Sequence, residues 1–462
     1  MKAVVLAAGE GTRMYPLTHT RPKPLLPVAG KPILEHILSM LKRGSVTEAA
    51  VVVGRHKDKV VEAVGDGGRL GLKVEYIVQE KPLGTAHAAS LAEEFVGGED
   101  FILVNGDVLT EGENYGEAVK AFRKHGSHVM ALAEVADPSS YGVVEVKGEK
   151  IVRVVEKPTV KVGSNLVNAG IYVFSSEVFN SLREVPLSER GEYEITDAIQ
   201  KIIDEGGEII PYRIEGWWLD VGYPWDLLTA NEELMKKHEG ERRVVVEEEA
   251  RIEKGAVIHP PVRVGRGTIV RAGAYIEGPV HIGENAVIGP NCYVRPYTVI
   301  GDSCHIGNAC EVKNSIIMSR TNVAHLSYVG DSIIGENVNL GAGTITANLR
   351  LDERNVTATV KGRKVDTKRR KMGAVIGDNV KTGIGVMIMP GVTIGANSLI
   401  APGIVVAANV PSNTIVKAKH EVTLQEASQG RSEQKQPATH STKRRTSPQN
   451  PSTPGEAPDE SL

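Results

Sequence analysis

Ile276-Glu277-Gly278-Pro279-Val280-His281-Ile282-Gly283-Glu284-Asn285-Ala286-Val287-Ile288 places an aliphatic residue at every sixth position, and the period extends far to either side. The column reads Ile252, Ile258, Val264, Val270, Ile276, Ile282, Ile288, Val294, Ile300, Ile306 and Val312. Four residues after each stands a second column, mostly small or β-branched: Ala256, Val262, Thr268, Ala274, Val280, Ala286, Cys292, Thr298, Cys304, Cys310 and Ile316. Neither an ordinary helix nor an ordinary sheet has this period. Two inward columns per hexad predict one flat face of a triangular coil, with three hexads to a turn. Glycine follows the aliphatic at Gly265, Gly283, Gly289, Gly301 and Gly307, which suits tight corners. The register slips by five at Val323 and again between Val329 and Ile334, resumes as Ile334 and Leu340, and breaks for a long insert. It returns as Ile376, Thr382, Ile388, Ile394, Ile400 and Val406. The pattern predicts a left-handed parallel β-helix of hexapeptide repeats over residues 244–417.

A chain of 462 residues exceeds one usual core, so further domains are expected. Its net charge of -3 implies neither nucleic acid nor an anionic membrane as a global partner. No run of about 18 apolar residues appears, and the opening Met1 to Gly9 lacks the length of a signal peptide, so the protein is expected in the cytoplasm. The three cysteines, Cys292, Cys304 and Cys310, all fall in the inward small-residue column, where a thiol packs as a small hydrophobe; a metal or disulfide site there is not expected.

Residues 1–225 alternate β-branched runs with helical patterns, the signature of a mostly parallel sheet covered by helices, a Rossmann-like α/β domain. Strands are expected at Lys2–Ala8, Ala49–Gly54, Lys73–Gln79, Phe101–Asp107, His128–Val135, Ile151–Glu156 and Leu166–Phe174. Helices are expected at Lys31–Arg43, His56–Val64, Thr85–Phe95 and near Ile195–Glu205, with a helical linker over 226–243. Residues 427–462 are rich in Ser, Thr, Pro, Gln and Lys and predict a disordered tail.

The first strand runs into Leu6-Ala7-Ala8-Gly9-Glu10-Gly11-Thr12-Arg13-Met14, followed by Pro22-Lys23-Pro24-Leu25-Leu26-Pro27. A glycine-rich turn after the first strand of an α/β sheet lets backbone N–H groups approach phosphates, with Arg13 and Lys23 supplying positive charge. Together these segments resemble the sugar-1-phosphate nucleotidylyltransferases. Further blocks follow in the family's order: Gln79 with Leu83-Gly84-Thr85-Ala86-His87-Ala88, Asn105-Gly106-Asp107, Tyr141-Gly142, Glu156-Lys157-Pro158, Asn168-Ala169-Gly170 and Trp218-Leu219-Asp220-Val221-Gly222. The resemblance implies that Leu6, Ala8, Gly9, Gly11, Thr12, Gln79, Gly84 and Thr85 bind the nucleotide, that Gly142, Glu156, Lys157 and Asn168 meet the sugar phosphate, and that Asp107 and Asp220 hold Mg²⁺. It further implies that Arg13 and Lys23 stabilise the departing pyrophosphate. Taken singly, Asp107 could cap a turn, Glu156 and Lys157 could be a solvated pair, and Asp220 could bond its own loop.

Hexapeptide coils are often only scaffolds. Where this one loses register it reads Ala324-His325-Leu326-Ser327-Tyr328-Val329-Gly330-Asp331, then Asn337-Val338-Asn339-Leu340-Gly341-Ala342-Gly343-Thr344. These blocks resemble the glucosamine-1-phosphate N-acetyltransferase half of the GlmU-like bifunctional enzymes, with Arg295, Lys313 and Asn348 at matching places. The resemblance implies His325 as general base, Arg295 and Lys313 on the sugar phosphate, Tyr328, Asn339 and Asn348 on the sugar and amine, and the Ala342 N–H facing the acetyl-CoA carbonyl. It also implies a homotrimer with acetyl-CoA in the groove between coils. The chain departs from the bacterial pattern after Asn348, where Leu349-Arg350-Leu351-Asp352 opens an insert carrying Lys361, Arg363, Lys364, Lys368, Arg369, Arg370 and Lys371. That insert reads either as a solvated basic loop or as a contact for the phosphates of coenzyme A or the sugar. Pro16-Leu17-Thr18 looks more like the thymidylyltransferases, which leaves UTP and dTTP both open.

The expected function is synthesis of UDP-N-acetylglucosamine in two steps: acetyl-CoA-dependent N-acetylation of glucosamine-1-phosphate, then transfer of UMP from UTP to the product. Two rivals are a glucose-1-phosphate uridylyl- or thymidylyltransferase with a structural coil, and an assembly protein with an inactive first site. The expected partners are small-molecule substrates and copies of the chain itself, and neither nucleic acid nor a membrane is expected.

Overall fold

The run Lys2–Ala7 is apolar on both sides, as a strand buried on both faces must be, and it lies parallel to Glu48–Val53 on one edge and to Phe101–Asn105 on the other. Lys73–Val78 extends the parallel part beyond Glu48–Val53. On the far side Leu166–Phe174 joins antiparallel to Phe101–Asn105 and carries the hairpin Gly142–Lys147/Lys150–Glu156 and the pair His128–Glu134/Ile209–Arg213. In this computed structural model the described residues are 1–160, 162–419 and 421–425; the tail expected at 427–462 lies outside them.

Helices cover the sheet; two of those expected over residues 1–225 differ in extent, and Glu113–His125 and Val178–Arg183 add to them. The first begins at Ile33, because Lys31–Pro32 pairs with Pro27–Val28 as a short ribbon. The expected helix Thr85–Phe95 is two, Thr85–Ser90 and Glu93–Val96, since the Ala92 N–H reaches back only to Ala89 O at 3.0 Å and tightens the turn between them. Asp226–Lys236 is helical and buries Leu227, Leu228, Ala230, Leu234 and Met235 in the core of the sheet domain.

From Val244 the chain winds into a left-handed coil whose three faces are parallel sheets of eight, nine and eight strands. Partners on successive early turns keep one distance in sequence, as in Ile269↔Val287 and Ile276↔Val294. Val264, Val270, Ile276, Ile282, Ile288 and Val294 are fully enclosed, and all three cysteines are buried in the same core with free thiols. Cys304 Sγ and Cys310 Sγ donate to the carbonyls of Met318 and Val323 at 3.2 and 3.1 Å. Ile252, in the open first turn, is 41% exposed.

Two readings of the repeat need correction. The glycines at 265, 283, 301 and 307 do not make the corners by left-handed backbone; of the five only Gly289 has a positive φ, 97°. The left-handed corner residues are instead Asn285, Asn291, Ser303 and Ala309. The glycines mark backbone contact between turns: a Cβ on Gly265 would sit 2.5 Å from the carbonyl carbon of Gly283, and one on Gly301 would sit 2.6 Å from Ser319 N. The first slip also falls earlier than expected. Ile300 pairs with Ile317, so Ile317 fills the interior while Ile316 pairs with Val299 and faces outward. The aliphatic after Val312 is therefore Ile317, five on rather than six, and Val323 follows it in regular step.

That outward face is not solvent-exposed. Val299, Ile316, Met318, Ile333 and Val375 share one buried cluster with Leu34, Leu38 and Leu227 of the sheet domain. The insert closes the seam. Thr357–Val360 and Arg363–Asp366 form a hairpin whose Ala358, with Val356 and Met372, enters the same cluster. Arg369 pairs with Glu232 and donates to Thr229 Oγ1 at 3.0 Å, so this charge is structural, whereas Lys361, Arg363, Lys364, Lys368, Arg370 and Lys371 stay exposed.

A second tie joins the loop before Lys23 to the coil. Arg21 reaches Glu336 Oε1 at 2.5 Å and Asp378 Oδ2 at 2.6 Å, and Thr20 Oγ1 donates to the same Asp378 oxygen at 2.6 Å. The side chains of Arg21 and Asp378 are 13% and 8% exposed. Removing one partner of a buried pair leaves the other charged and unmatched. Arg21→Ala, which strips the enclosed Asp378 carboxylate of its one cation among the described residues, should therefore cost about 3–5 kcal/mol of stability, seen as a lower unfolding midpoint. Lys120→Ala, which breaks only an exposed pair with Glu117, should cost less than about 1 kcal/mol.

Candidate functional sites on the sheet edge and on the coil

The glycine turn leaves the central strand at its carboxyl end, the edge at which open α/β sheets bind ligands. Gly11 is left-handed (φ 63°), which folds the turn back until its Cα faces Lys23 and Thr18; Thr18 Oγ1 donates to Gly11 O at 2.8 Å. An open cleft of about 560 Å³ beside the turn is lined by Ala8, Gly9, Tyr15, Gly54, Arg55 and His56. Thr12 and Arg13 lie in the short helical turn beyond, and the Arg13 guanidinium stands over the Tyr223 ring at 5.3 Å.

The parallel neighbour brings the acid. Gly106 N–H donates to Leu6 O at 2.8 Å, so the turn after Phe101–Asn105 hugs the first strand, and a Cβ on Gly106 would strike Leu6 O at 2.7 Å. Asp107 in this turn meets Lys23 Nζ at 2.5 Å. The expected strand thus ends at Asn105, and Asp107 stands in the turn beyond it. A two-stranded ribbon, Val108–Thr110 with Trp218–Asp220, then aligns Asp220 with Val108, and Val221 N–H donates to Asp107 O at 3.0 Å. Enclosure by protein and the nearby Asp107 push the Asp220 carboxyl up, against Lys23 and Arg13. Asp226 caps the segment by accepting from Gly222 N and Tyr223 N at 2.9 and 2.7 Å, and burial pushes it up to about 7.

No donor among the described residues bonds the Asp220 carboxylate. Two adjacent carboxylates, one of them paired with the Lys23 ammonium, form a hard-oxygen donor set, which fits a divalent cation such as Mg²⁺.

The remaining N-terminal candidates fall into two groups. Gln79 Nε2 donates to Gly84 O at 3.1 Å and lies 2.9 Å from His87 Nδ1, while Thr85 Oγ1 accepts from Ile195 N at 3.0 Å. Gly84 has φ 109°, and a Cβ there would overlap the Tyr193 backbone at 2.5 Å. Gly142, Glu156 and Asn168 converge: a Cβ on Gly142 would lie 2.9 Å from Glu156 Oε2 and 3.4 Å from Asn168 Cβ. Asn168 Nδ2 donates to Tyr172 OH at 2.6 Å, and Lys157, left-handed at φ 40°, lies 3.4 Å from Glu156 Oε1. Arg190 was not foreseen; it bridges Glu156 and Glu194 at 3.4 and 2.8 Å from a segment without a motif of its own.

On the coil, Lys313, Tyr328 and Asn348 come from successive turns of the third face and meet. Asn348 Nδ2 donates to Tyr328 OH at 3.1 Å and to Asp331 Oδ2 at 2.5 Å, and Lys313 Nζ meets Asp331 Oδ2 at 3.1 Å. Gly330 leaves the room for this, since a Cβ there would overlap the Tyr328 hydroxyl and approach Asn348 Nδ2 to 2.7 Å. Arg295, one turn earlier on that face, is paired with Glu311 at 2.9 Å and has a buried Nε without a partner. His325 ends the second-face strand Asn322–His325 and is exposed, as is Asn339 on the next turn of that face. Gly343 N–H donates to His325 O at 3.2 Å, and the preceding Ala342 N–H has no partner among the described residues. Asp331 is the member to which the sequence had given no role; its signal was its place at the second five-residue step.

Among the described residues no helix is long and apolar enough to cross a membrane. Residues 2–237 match the Nucleotidyl transferase family, and residues 243–278 and 373–408 match Bacterial transferase hexapeptide (six repeats). Residues 276–372 match the GMPPB C-terminal domain. The chain is 44% identical to the Bifunctional protein GlmU of Methanococcus maripaludis over 92% of its own length and 99% of that protein. It is 41% identical to the Bifunctional protein GlmU of Methanocaldococcus jannaschii, over 91% and 98%. Against the Bifunctional sugar-1-phosphate nucleotidylyltransferase/acetyltransferase of Sulfurisphaera tokodaii it is 37% identical, over 84% and 92%.

Proposed function

Because the chain belongs to the bifunctional GlmU family, we propose that it makes UDP-N-acetylglucosamine, acetylating glucosamine-1-phosphate on the coil and joining the product to UTP at the sheet edge. The observation that carries this reading is that one chain holds both clusters: Lys23, Asp107 and Asp220 at the carboxyl edge of the parallel strands, and Lys313, Tyr328 and Asn348 on the coil.

In nucleotidyl transfer a sugar-phosphate oxygen attacks the α-phosphorus of the triphosphate and pyrophosphate leaves, so like charges must be gathered before any bond forms. The backbone of Leu6, Ala8, Gly9, Gly11 and Thr12 cradles the triphosphate, and Gln79, Gly84 and Thr85 hold the base. Arg13 and Lys23 stabilise charge on the departing pyrophosphate, and Lys157 orients the attacking phosphate while Gly142, Glu156 and Asn168 hold the sugar. Asp107 and Asp220 would hold Mg²⁺, which when bound supplies positive charge to the phosphates.

In acetyl transfer the sugar amine attacks the thioester carbonyl, loses a proton to His325 and expels the thiolate of coenzyme A. The free Ala342 N–H faces the developing oxyanion, Arg295 and Lys313 bind the sugar phosphate, and Tyr328, Asn339 and Asn348 orient the amine. The hexapeptide coil fits assembly into a closed homotrimer, with acetyl-CoA in the groove between neighbouring coils, because the coil's own interior is filled. Both co-substrates are drawn from the cytoplasm, where we place the reaction.

Asp107→Asn and Asp220→Asn should each abolish nucleotidyl transfer, assayed as pyrophosphate release, while thiol release from acetyl-CoA continues. Loss of both activities in folded protein would sink the assignment of separate sites. His325→Ala should lower acetyl-transfer kcat by about 10²- to 10⁴-fold and leave nucleotidyl transfer on supplied N-acetylglucosamine-1-phosphate unchanged. If wild-type protein releases no thiol with any amino-sugar phosphate, the coil is structural. Light scattering alongside the acetyl-transfer assay tests assembly: a fully active monomer would exclude the groove arrangement.

A further inference from the structure

Two side chains of the acetyl-transfer cluster, Lys313 and Asn348, end with the neighbouring Asn314 on one carboxylate that the reaction above does not use. Asp331 occupies a left-handed corner (φ 47°) directly after Tyr328–Gly330, and its side chain is 3% exposed. It accepts from Lys313 Nζ at 3.1 and 3.4 Å, from Asn314 Nδ2 at 2.9 Å and from Asn348 Nδ2 at 2.5 Å. Its own N–H donates to Lys313 O at 2.9 Å. Asn314, the corner one turn earlier (φ 44°), also donates to Glu232 Oε1 at 2.8 Å, which anchors the pair of corners to the helix Asp226–Lys236.

An ionised carboxylate only accepts, so it decides which way a neighbouring amide turns. Asn348 spends both Nδ2 hydrogens, one on Asp331 and one on the Tyr328 hydroxyl. Its Oδ1 is left without a donor among the described residues, as an acceptor for a substrate N–H. Lys313 is a flexible side chain whose ordering costs rotamer freedom. Asp331 holds it from the enclosed side and leaves the remaining ammonium hydrogens for a ligand.

We propose that Asp331 is a positioning residue for the acetyl-transfer reaction, holding the Lys313 ammonium for the sugar phosphate and turning Asn348 so that its Oδ1 receives the substrate amine. The inference rests on the acetyl-transfer reading of this cluster. An opposing effect exists, because the carboxylate's charge repels a phosphate. It is the weaker one, since that charge is matched by an ammonium and two amides on the side away from solvent.

The test is Asp331→Asn in the full-length protein, which keeps the volume and removes the acceptor-only carboxylate. KM for glucosamine-1-phosphate in acetyl transfer should rise about 10- to 100-fold, KM for acetyl-CoA should hold, and nucleotidyl transfer by the same preparation should be unchanged. In a Lys313→Ala background the same substitution should raise this KM less, because the part of its effect that runs through Lys313 is already gone and only the part through Asn348 remains. An unchanged or lower KM for the sugar phosphate would overturn the proposal, as would equal penalties in both backgrounds. Loss of both activities would also overturn it, by showing that Asp331 only holds the coil together. A wild-type protein inactive on every amino-sugar phosphate overturns the acetyl-transfer reading instead, a different and separable result.

Discussion

Backbone meets backbone wherever one turn of the coil crosses the next, and this contact governs the rest of the molecule. Gly265, Gly283 and Gly301 stack at a separation that a methyl group would violate. Ladder hydrogen bonds then hold each turn at strand spacing, about 4.8 Å, so equivalent residues lie directly above one another. The left-handed corners show the result: Asn337, Asn379, Asn397 and Asn413 pass a hydrogen bond from amide to amide along four turns at 2.8 to 2.9 Å. A polar side chain repeated at the same corner satisfies itself, and asparagine tolerates the positive φ that the corner demands.

A stack this regular cannot alter its step gradually; a residue can be lost only whole, at a corner. Two middle turns lose one, and the shortened corners are Asn314 and Asp331. The polar cluster of the coil gathers beside them. The same two turns present Ile316 and Ile333 outward into the core shared with the sheet domain. The shortening that shapes the candidate acetyl-transfer site therefore also shapes the surface on which the sheet domain sits.

The repeat made the coil legible because its period is long and its interior tolerates few residue types. The sheet strands were legible from apolar runs, and Lys23, Asp107 and Asp220 from motifs that the sheet topology gathers. The position of the first slip was not legible. Ile316 and Ile317 are both apolar and both buried, one against the sheet domain and one inside the coil, and composition cannot separate those environments. Arg21 carried no reading and Arg369 read as a solvated charge or a phosphate contact, because their partners, Asp378 and Glu232, lie far away in sequence. Asp331 escaped for a similar reason: a corner aspartate looks like turn chemistry until its three donors are seen together.

A free solenoid comes apart from its ends, one turn at a time, because each turn touches only its neighbours. Here the middle turns are pinned by the shared core, by the hairpin Thr357–Val360/Arg363–Asp366 and by the Arg21 tie to Glu336 and Asp378. Opening those turns would release the segment that leads into Lys23. Amide protons of the loop around Arg21 and of the coil near Asp378 therefore belong to one cooperative unit of exchange, while the first turn at Arg251–Ile252, half open to water, is free to fray alone.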